Sequence, residues 1–224
     1  MMPLETYLEH TNLAPTITGA DVEKLTDEAL AYQFVGVCVP PFWVRKAKRD
    51  LNNAPIAVVT VIGFPLGYQH TEVKLNEIKW AIQDGADELD LVINISAIKH
   101  NAFEWVKPEI YRCAELIHAE GKILKVILET AYLTDEEIVR ACKVSADAGA
   151  DFVKTSTGFA PTGATVEHIR LMRQSVPNTV GIKASGGIRT LEKAWAMIEA
   201  GAERLGTSAS VSLMEEAQKK VRES

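Results

Sequence analysis

The stretch Ala148-Gly-Ala-Asp-Phe-Val-Lys154 carries the chain out of one element and straight into the next. A polar segment of helical period precedes it. Gly149 suits a left-handed C-cap, because glycine has no Cβ to clash there. Asp151 then opens an apolar run. The same phrase recurs as Asp84-Gly-Ala-Asp87 and Ala200-Gly-Ala-Glu203. Identical turn chemistry at three helix-to-strand junctions implies one βα unit used repeatedly.

Working outward, short apolar or β-branched runs lie at 36–39, 56–62, 88–93, 122–129, 151–155, 179–183 and 204–206. The middle ones are nearly all apolar, as parallel strands covered on both faces should be. An eighth fits at 7–11, with a helical segment at 21–32 after it. Between strands, Thr134-Asp-Glu-Glu137 forms a capping box, and Ile138, Ala141, Cys142 and Ser145 follow on one face. Leu75, Ile78, Ala81 and Ile82 make a similar stripe, and Pro108 marks a kink or a helix start. Eight units in 224 residues leave about 28 each, enough for a strand, a helix and two short loops. The pattern predicts an α/β fold, a single (β/α)8 TIM barrel over 1–224 with an additional N-terminal segment, in preference to a doubly wound sheet.

Composition narrows the partners. The chain is 47% hydrophobic and 24% charged, values of an ordinary globular domain, so disorder and collagen-like structure are excluded. Lys and Arg number 24 against 30 Asp and Glu, a net charge of −6, which disfavours nucleic acid. The cationic runs around 45–49 and 219–222 read as solvated helix faces. The longest apolar stretch, 56–64, is half a membrane span, and the N-terminus lacks a signal-peptide pattern. Three distant cysteines without CxxC signal neither a disulfide framework nor zinc. A cytoplasmic protein without membrane or nucleic-acid partners is expected.

In a parallel barrel, chemistry gathers at the C-terminal strand ends. The polar residues there are Glu9, Cys38, Asp90 with Asn94, Glu129, Lys154 with Thr155, and Lys183. Lys154 and Lys183 stand at matching places on neighbouring strands, which lie about 4.8 Å apart. Like charge and desolvation both disfavour protonation, so one lysine is expected to titrate below the usual value. A neutral amine in a dry mouth attacks carbonyl carbon and forms a Schiff base. The alternative is that the lysines merely pair with Asp90 and Glu129. Alternation in Glu88-Leu-Asp-Leu-Val92 turns Asp90 inward if the leucines meet the helices. Asp90 then either relays protons with Lys183 or only organises the core.

Glycine-rich loops follow the last two strands, Lys183-Ala-Ser-Gly-Gly-Ile188 and Arg204-Leu-Gly-Thr-Ser208. Gly186, Gly187, Gly206 and Ser208 are candidates for binding phosphate through backbone N–H groups. Gly158-Phe-Ala-Pro-Thr-Gly163 lacks the lysine of a P-loop. The five histidines show no metal-ligand spacing, and Cys38 has no histidine clearly beside it. The four tryptophans read as packing residues on helices.

These residues resemble a known family. Asp151-Phe-Val-Lys-Thr-Ser-Thr-Gly-Phe159, Gly181-Ile-Lys-Ala-Ser-Gly-Gly-Ile-Arg189 and Arg204-Leu-Gly-Thr-Ser208 are similar to segments of deoxyribose-phosphate aldolase. So are Glu9-His-Thr-Asn-Leu13, Val37-Cys-Val-Pro40, Val61-Ile-Gly-Phe-Pro65 and Gly85-Ala-Asp-Glu-Leu-Asp-Leu-Val-Ile-Asn94. The resemblance covers nearly the whole chain in order. It implies a class I aldolase with no cofactor and no metal. Such an enzyme reversibly cleaves 2-deoxy-D-ribose 5-phosphate to acetaldehyde and D-glyceraldehyde 3-phosphate in deoxyribonucleotide catabolism. It implies catalytic roles for Lys154, Lys183 and Asp90, with Glu9, Cys38, Thr155 and Asn94 supporting and the four loop residues holding phosphate. Its partners would be small phosphorylated sugars and aldehydes, and a homodimer or another small homo-oligomer is allowed. Another class I sugar-phosphate aldolase, or a silent sugar-phosphate-binding barrel, are the alternatives. Glu9 replaces the family's usual aspartate, Ala209 a frequent second serine, and the sequence shows no C-terminal tyrosine by Ser224.

Overall fold

The computed structural model describes residues 2–223. Met1 and Ser224 lie outside them, so the expectation attached to the C-terminal position has no structural counterpart here. A 3-10 helix at Leu4–Tyr7 precedes the first strand. It is the additional N-terminal segment, and it takes Tyr7 out of the strand expected at 7–11.

Eight parallel strands close into a barrel in chain order. They are β1 (Leu8–Thr11), β2 (Gly36–Cys38), β3 (Ala57–Ile62), β4 (Glu88–Val92), β5 (Ile123–Ile127), β6 (Phe152–Lys154), β7 (Gly181–Ser185) and β8 (Arg204–Thr207). The surrounding helices are α1 (Gly19–Tyr32), α2 (Val44–Asp50), α3 (Thr71–Asp84), α4 (Ile95–Lys99), α5 (Phe103–Ala119), α6 (Asp135–Asp147), α7 (Val166–Ser175), α8 (Leu191–Glu199) and α9 (Ser210–Glu223). Closure removes every sheet edge, so each strand has two partners.

Local chemistry accounts for the element ends. The capping box expected at Thr134 and Glu137 is present at the start of α6, and Thr18 with Asp21 forms another at α1. The repeated turns behave as their glycines require. Gly85, Gly149 and Gly201 have φ of 104°, 94° and 116°. The acid after each glycine-alanine pair has work of its own. Asp87 accepts from Val58 N–H and Asp151 from Leu124 N–H, which ties these two turns to neighbouring strands, while Glu203 accepts from Arg173. The helix α5 runs through Pro108 rather than starting there.

The main core lies between barrel and helices. Leu89, Leu91 and Ile93 belong to it, as do Ile138, Ala141 and Cys142 of α6. Two of the tryptophans depart from the expected packing role, since Trp80 and Trp105 are largely exposed.

One buried ion pair ties helices to the barrel rim. Lys74 of α3 is fully buried, donates to Glu109 of α5 at 2.6 Å and to the carbonyl of Val92 at 3.0 Å. Removing one member strands the other charge in a dry site. Glu109→Ala is expected to lower the unfolding free energy by about 3–5 kcal/mol in urea titrations. The paired replacement Lys74→Met with Glu109→Leu should recover most of it. A loss well under 1 kcal/mol for Glu109→Ala would mean that the pair is not desolvated.

Candidate active site

Alternation along the strands loads the barrel interior with charge. Glu9 of β1, Glu88 and Asp90 of β4, Lys125 of β5, Lys154 of β6 and Lys183 of β7 are all buried. Register sets Asp90 opposite Lys125, and Lys154 opposite Lys183. Asp90 is the hub. Its Oδ2 accepts from Lys154 Nζ at 2.7 Å and from Lys183 Nζ at 2.7 Å, while Oδ1 accepts from Lys125 Nζ at 3.1 Å. Two contacts to one oxygen place the Lys154 and Lys183 nitrogens no more than twice that distance apart. Glu9 accepts from Lys183 and lies 3.6 Å from Lys125, which also pairs with Glu88. Three ammonium groups thus face three carboxylates, which is how so much charge stays buried.

Carboxylates decide the electrostatics of Lys183. Burial alone would depress Lys183, but the carboxylates of Asp90 and Glu9 outweigh it and hold its pKa above the ordinary lysine range. Lys183 therefore stays an ammonium beside Lys154. Burial would likewise raise Asp90 and Glu9, yet Lys125 first, with Lys183 also acting on both and Lys154 on Asp90, holds both below the usual carboxylate range. Like-charge repulsion between the two lysines was visible in the sequence. The carboxylates that reverse it come from strands far away in the chain.

A cavity of about 290 Å³ opens at the C-terminal face. Lys154 lines it, together with Gly186, Gly187, Gly206 and Ser208 from the two glycine-rich loops. Lys154 keeps 3% of its side chain exposed, whereas Lys125 and Lys183 keep none, so of the three only Lys154 reaches the cavity. Gly186 and Gly187 have φ of 86° and 72°, a conformation that turns the loop toward α8. Gly163 fits flush against this loop, since a Cβ there would stand 2.1 Å from the Gly186 carbonyl oxygen. Glycine-rich backbone along the cavity wall suits an anion, which loop N–H groups can bind. Arg189 and Phe159 also line the cavity.

The remaining expected residues fall at different distances from it. Thr155 is buried and stitches β6 to β7, donating to Ser185 O at 3.2 Å and accepting from Ser185 N at 3.1 Å. Cys38 lies inside the barrel with Val59 and Val61, and burial pushes its thiol up to about 11, which removes it as a nucleophile at neutral pH. Asn94 is not brought to the lysines. It caps α4, accepting from Ala97 N at 3.1 Å, and lines a separate recess of about 800 Å³ bordered by α4 and α5. Lys125 and Glu88 were not singled out in the sequence. The signal was a lysine at the centre of Ile123-Leu-Lys-Val-Ile127, a run too apolar to hold a cation without an inward partner.

Comparison with known proteins gives the same direction. The profile for DeoC/LacD family aldolase matches residues 6–212. Deoxyribose-phosphate aldolase of Thermococcus gammatolerans is 53% identical over 216 residues, covering 96% of each chain. That of Thermococcus kodakarensis is 54% identical over 211 residues, covering 93% of this chain and 94% of its own. Among solved structures, the tetrameric deoxyribose phosphate aldolase of Aeropyrum pernix superposes with a TM-score of 0.90 at 34% identity, over 96% of this chain and 91% of its own. On the strength of a match spanning nearly every strand and helix just described, the chain belongs to the DeoC/LacD family of aldolases.

Proposed function

We propose that this chain reversibly cleaves 2-deoxy-D-ribose 5-phosphate to acetaldehyde and D-glyceraldehyde 3-phosphate through a Schiff base on Lys154. The observation that carries the reading is that Lys154, alone of the three lysines inside the barrel, lines the cavity. Its nitrogen also touches Asp90, whose charge is already met by Lys183 and Lys125, so the ammonium can release its proton without stranding the carboxylate.

The neutral amine attacks the C1 aldehyde and loses water to give an iminium. Its positive nitrogen draws in the electrons of the C2–C3 bond as that bond breaks. The C3 hydroxyl proton leaves to a base, glyceraldehyde 3-phosphate departs, and an enamine remains. Proton return to C2 regenerates an iminium, and water releases acetaldehyde. Asp90 with Lys183, one contact from the reacting nitrogen, would move these protons. Gly186, Gly187, Gly206 and Ser208 would hold the phosphate at the other end of the cavity. Glu9 and Cys38 would act at a remove, Glu9 by holding Lys183 and Cys38 by packing. Thr155 would fix Lys154's strand against β7, while Asn94 supports α4.

The lysine itself supplies the electron sink, so the reaction needs no cofactor or metal. A cytoplasmic setting and a small homo-oligomer belong to the same reading; the relative from Aeropyrum pernix supports the second. No helix among the described residues is long and apolar enough to cross a membrane. A coupled assay of acetaldehyde release from deoxyribose 5-phosphate tests the proposal. Turnover in the usual enzymatic range, on the order of 1–10³ per second, is expected. Cleavage of other sugar phosphates alone would transfer the reading to a different class I aldolase. Binding without any cleavage would point to a silent barrel.

A further inference from the structure

Glu129 follows β5 and lies against the loop that leaves β6 after Lys154, and its conformation is unusual. It has φ 55° and ψ 65°, left-handed backbone for a residue with a Cβ. Such a conformation persists in a non-glycine residue when its surroundings over-determine it, and functional sites collect them. The side chain is 1% exposed. Its Oε2 accepts from Thr157 N–H at 3.2 Å and from the Thr157 hydroxyl. Thr157 Oγ1 in turn accepts from Phe159 N–H at 3.1 Å. Beside this link, Thr130 N–H donates to the Thr155 carbonyl at 2.9 Å.

The chain of contacts ends on the cavity wall. Thr157, Gly158 and Phe159 all line the cavity with Lys154. Phe159 meets Phe64 of the loop after β3 edge to face, with ring centroids 5.3 Å apart. Gly158 has φ 88° and nothing within 4 Å of a Cβ position, so packing does little to fix the chain at that residue. The carboxylate does. Burial raises the Glu129 pKa, the two Thr157 contacts partly offset that, and Lys154 is the charge facing it. Oε1 is buried and has no hydrogen-bond partner. A site that tolerates a raised carboxyl, an orphaned oxygen and a left-handed backbone is retaining this side chain for a contact.

We infer that Glu129 is a positioning residue of the aldolase site, its carboxylate clamping segment 157–159 and so setting the cavity wall beside Lys154. The inference rests on the reaction proposed above. It reaches the substrate through Thr157 and not by direct touch.

Four variants test it. Glu129→Gly relaxes the backbone and removes the clamp, while Glu129→Gln keeps an acceptor for both Thr157 donors. Thr157→Val removes the hydroxyl at nearly constant volume, and Thr157→Ser restores it. Amide hydrogen exchange of the peptide covering 155–159 is measured first, without substrate. Faster exchange in Glu129→Gly and Thr157→Val, restored in the Gln and Ser variants, is expected; unchanged exchange overturns the clamp even if the wild type cleaves nothing. With deoxyribose 5-phosphate, Glu129→Gly should lose about 10- to 100-fold in kcat/KM, with KM raised as well as kcat lowered, a scale typical of ångström-level misplacement. Glu129→Gln should stay within about threefold. A variant that melts earlier but keeps both kinetic constants, beside an active wild type, assigns Glu129 a purely structural role and defeats the inference.

Discussion

Lys154→Ala is expected to lose turnover by on the order of 10⁴-fold or more, the scale seen when a covalent catalyst is removed. Neither neighbour can replace it. Lys183 and Lys125 are wholly buried, and carboxylates hold both in their charged form. Trapping with acetaldehyde and borohydride should place an ethyl group on Lys154 in the wild type and nowhere in the variant, as read by peptide mass spectrometry. Lys154→Arg should be as inactive as alanine, because it keeps the charge and not the nucleophile. Residual activity within about tenfold of wild type, or label on another lysine, would remove Lys154 from the reaction.

Asp90→Asn should be the next most damaging change, and its effect should appear in stability as well as in rate. Asp90 contacts three ammonium groups and is itself fully buried. Taking one partner out of a buried ion network costs about 3–5 kcal/mol. The pH dependence carries a sign. In the wild type the depressed Asp90 and Glu9 contribute stability that is complete above their unfolded pKa of about 4 and is lost as pH falls through their lower folded values. The raised Lys183 contributes stability that is complete below about 10.4 and is lost as pH rises through its higher folded value. Between those limits the cluster's contribution is flat. Without Asp90 the burial of Lys183 is opposed chiefly by Glu9, and its proton is held less firmly. Where burial wins, the unfolded chain binds more protons than the folded one, and stability climbs with pH from neutral toward alkaline. Urea unfolding at several pH values distinguishes the two profiles. A flat profile in Asp90→Asn with undiminished stability would show that the carboxylate is dispensable to the cluster. The rate should fall by about 10²–10⁴-fold, the usual contribution of a positioned proton-transfer group.

The sequence disclosed the periodic parts of this molecule and hid the parts that depend on closure. Alternation in Glu88-Leu-Asp-Leu-Val92 put Asp90 inside, and the glycine-alanine turns put a strand after each helix. These are local properties, read within a few residues. Lys125 was passed over because its apolar run signals that a partner is needed and not which residue supplies it. Those partners, Asp90 and Glu9, arrive from other strands. The hold of Glu9 on Lys183 could not be read from local pattern either, since Glu9 is 174 residues away in the chain. Asn94 failed in the opposite way. It follows Asp90 closely in sequence, yet the chain turns into α4 there and carries it to another recess. Glu129 was visible as a polar strand end, but its left-handed backbone follows no residue preference and could not be read from composition.

The pairing of Glu9 with Lys183 spans the place where the first and last strands meet, since β1 lies against β8 and β8 against β7. A ribosome delivers the anion first and the cation near the end. A nascent chain that stopped short of Lys183 would have to leave Glu9 wet or bury it half-compensated, and either choice keeps the growing cylinder open. Partial barrels therefore gain little by settling early, and the order of synthesis itself favours assembly in one concerted event once the final strand has emerged.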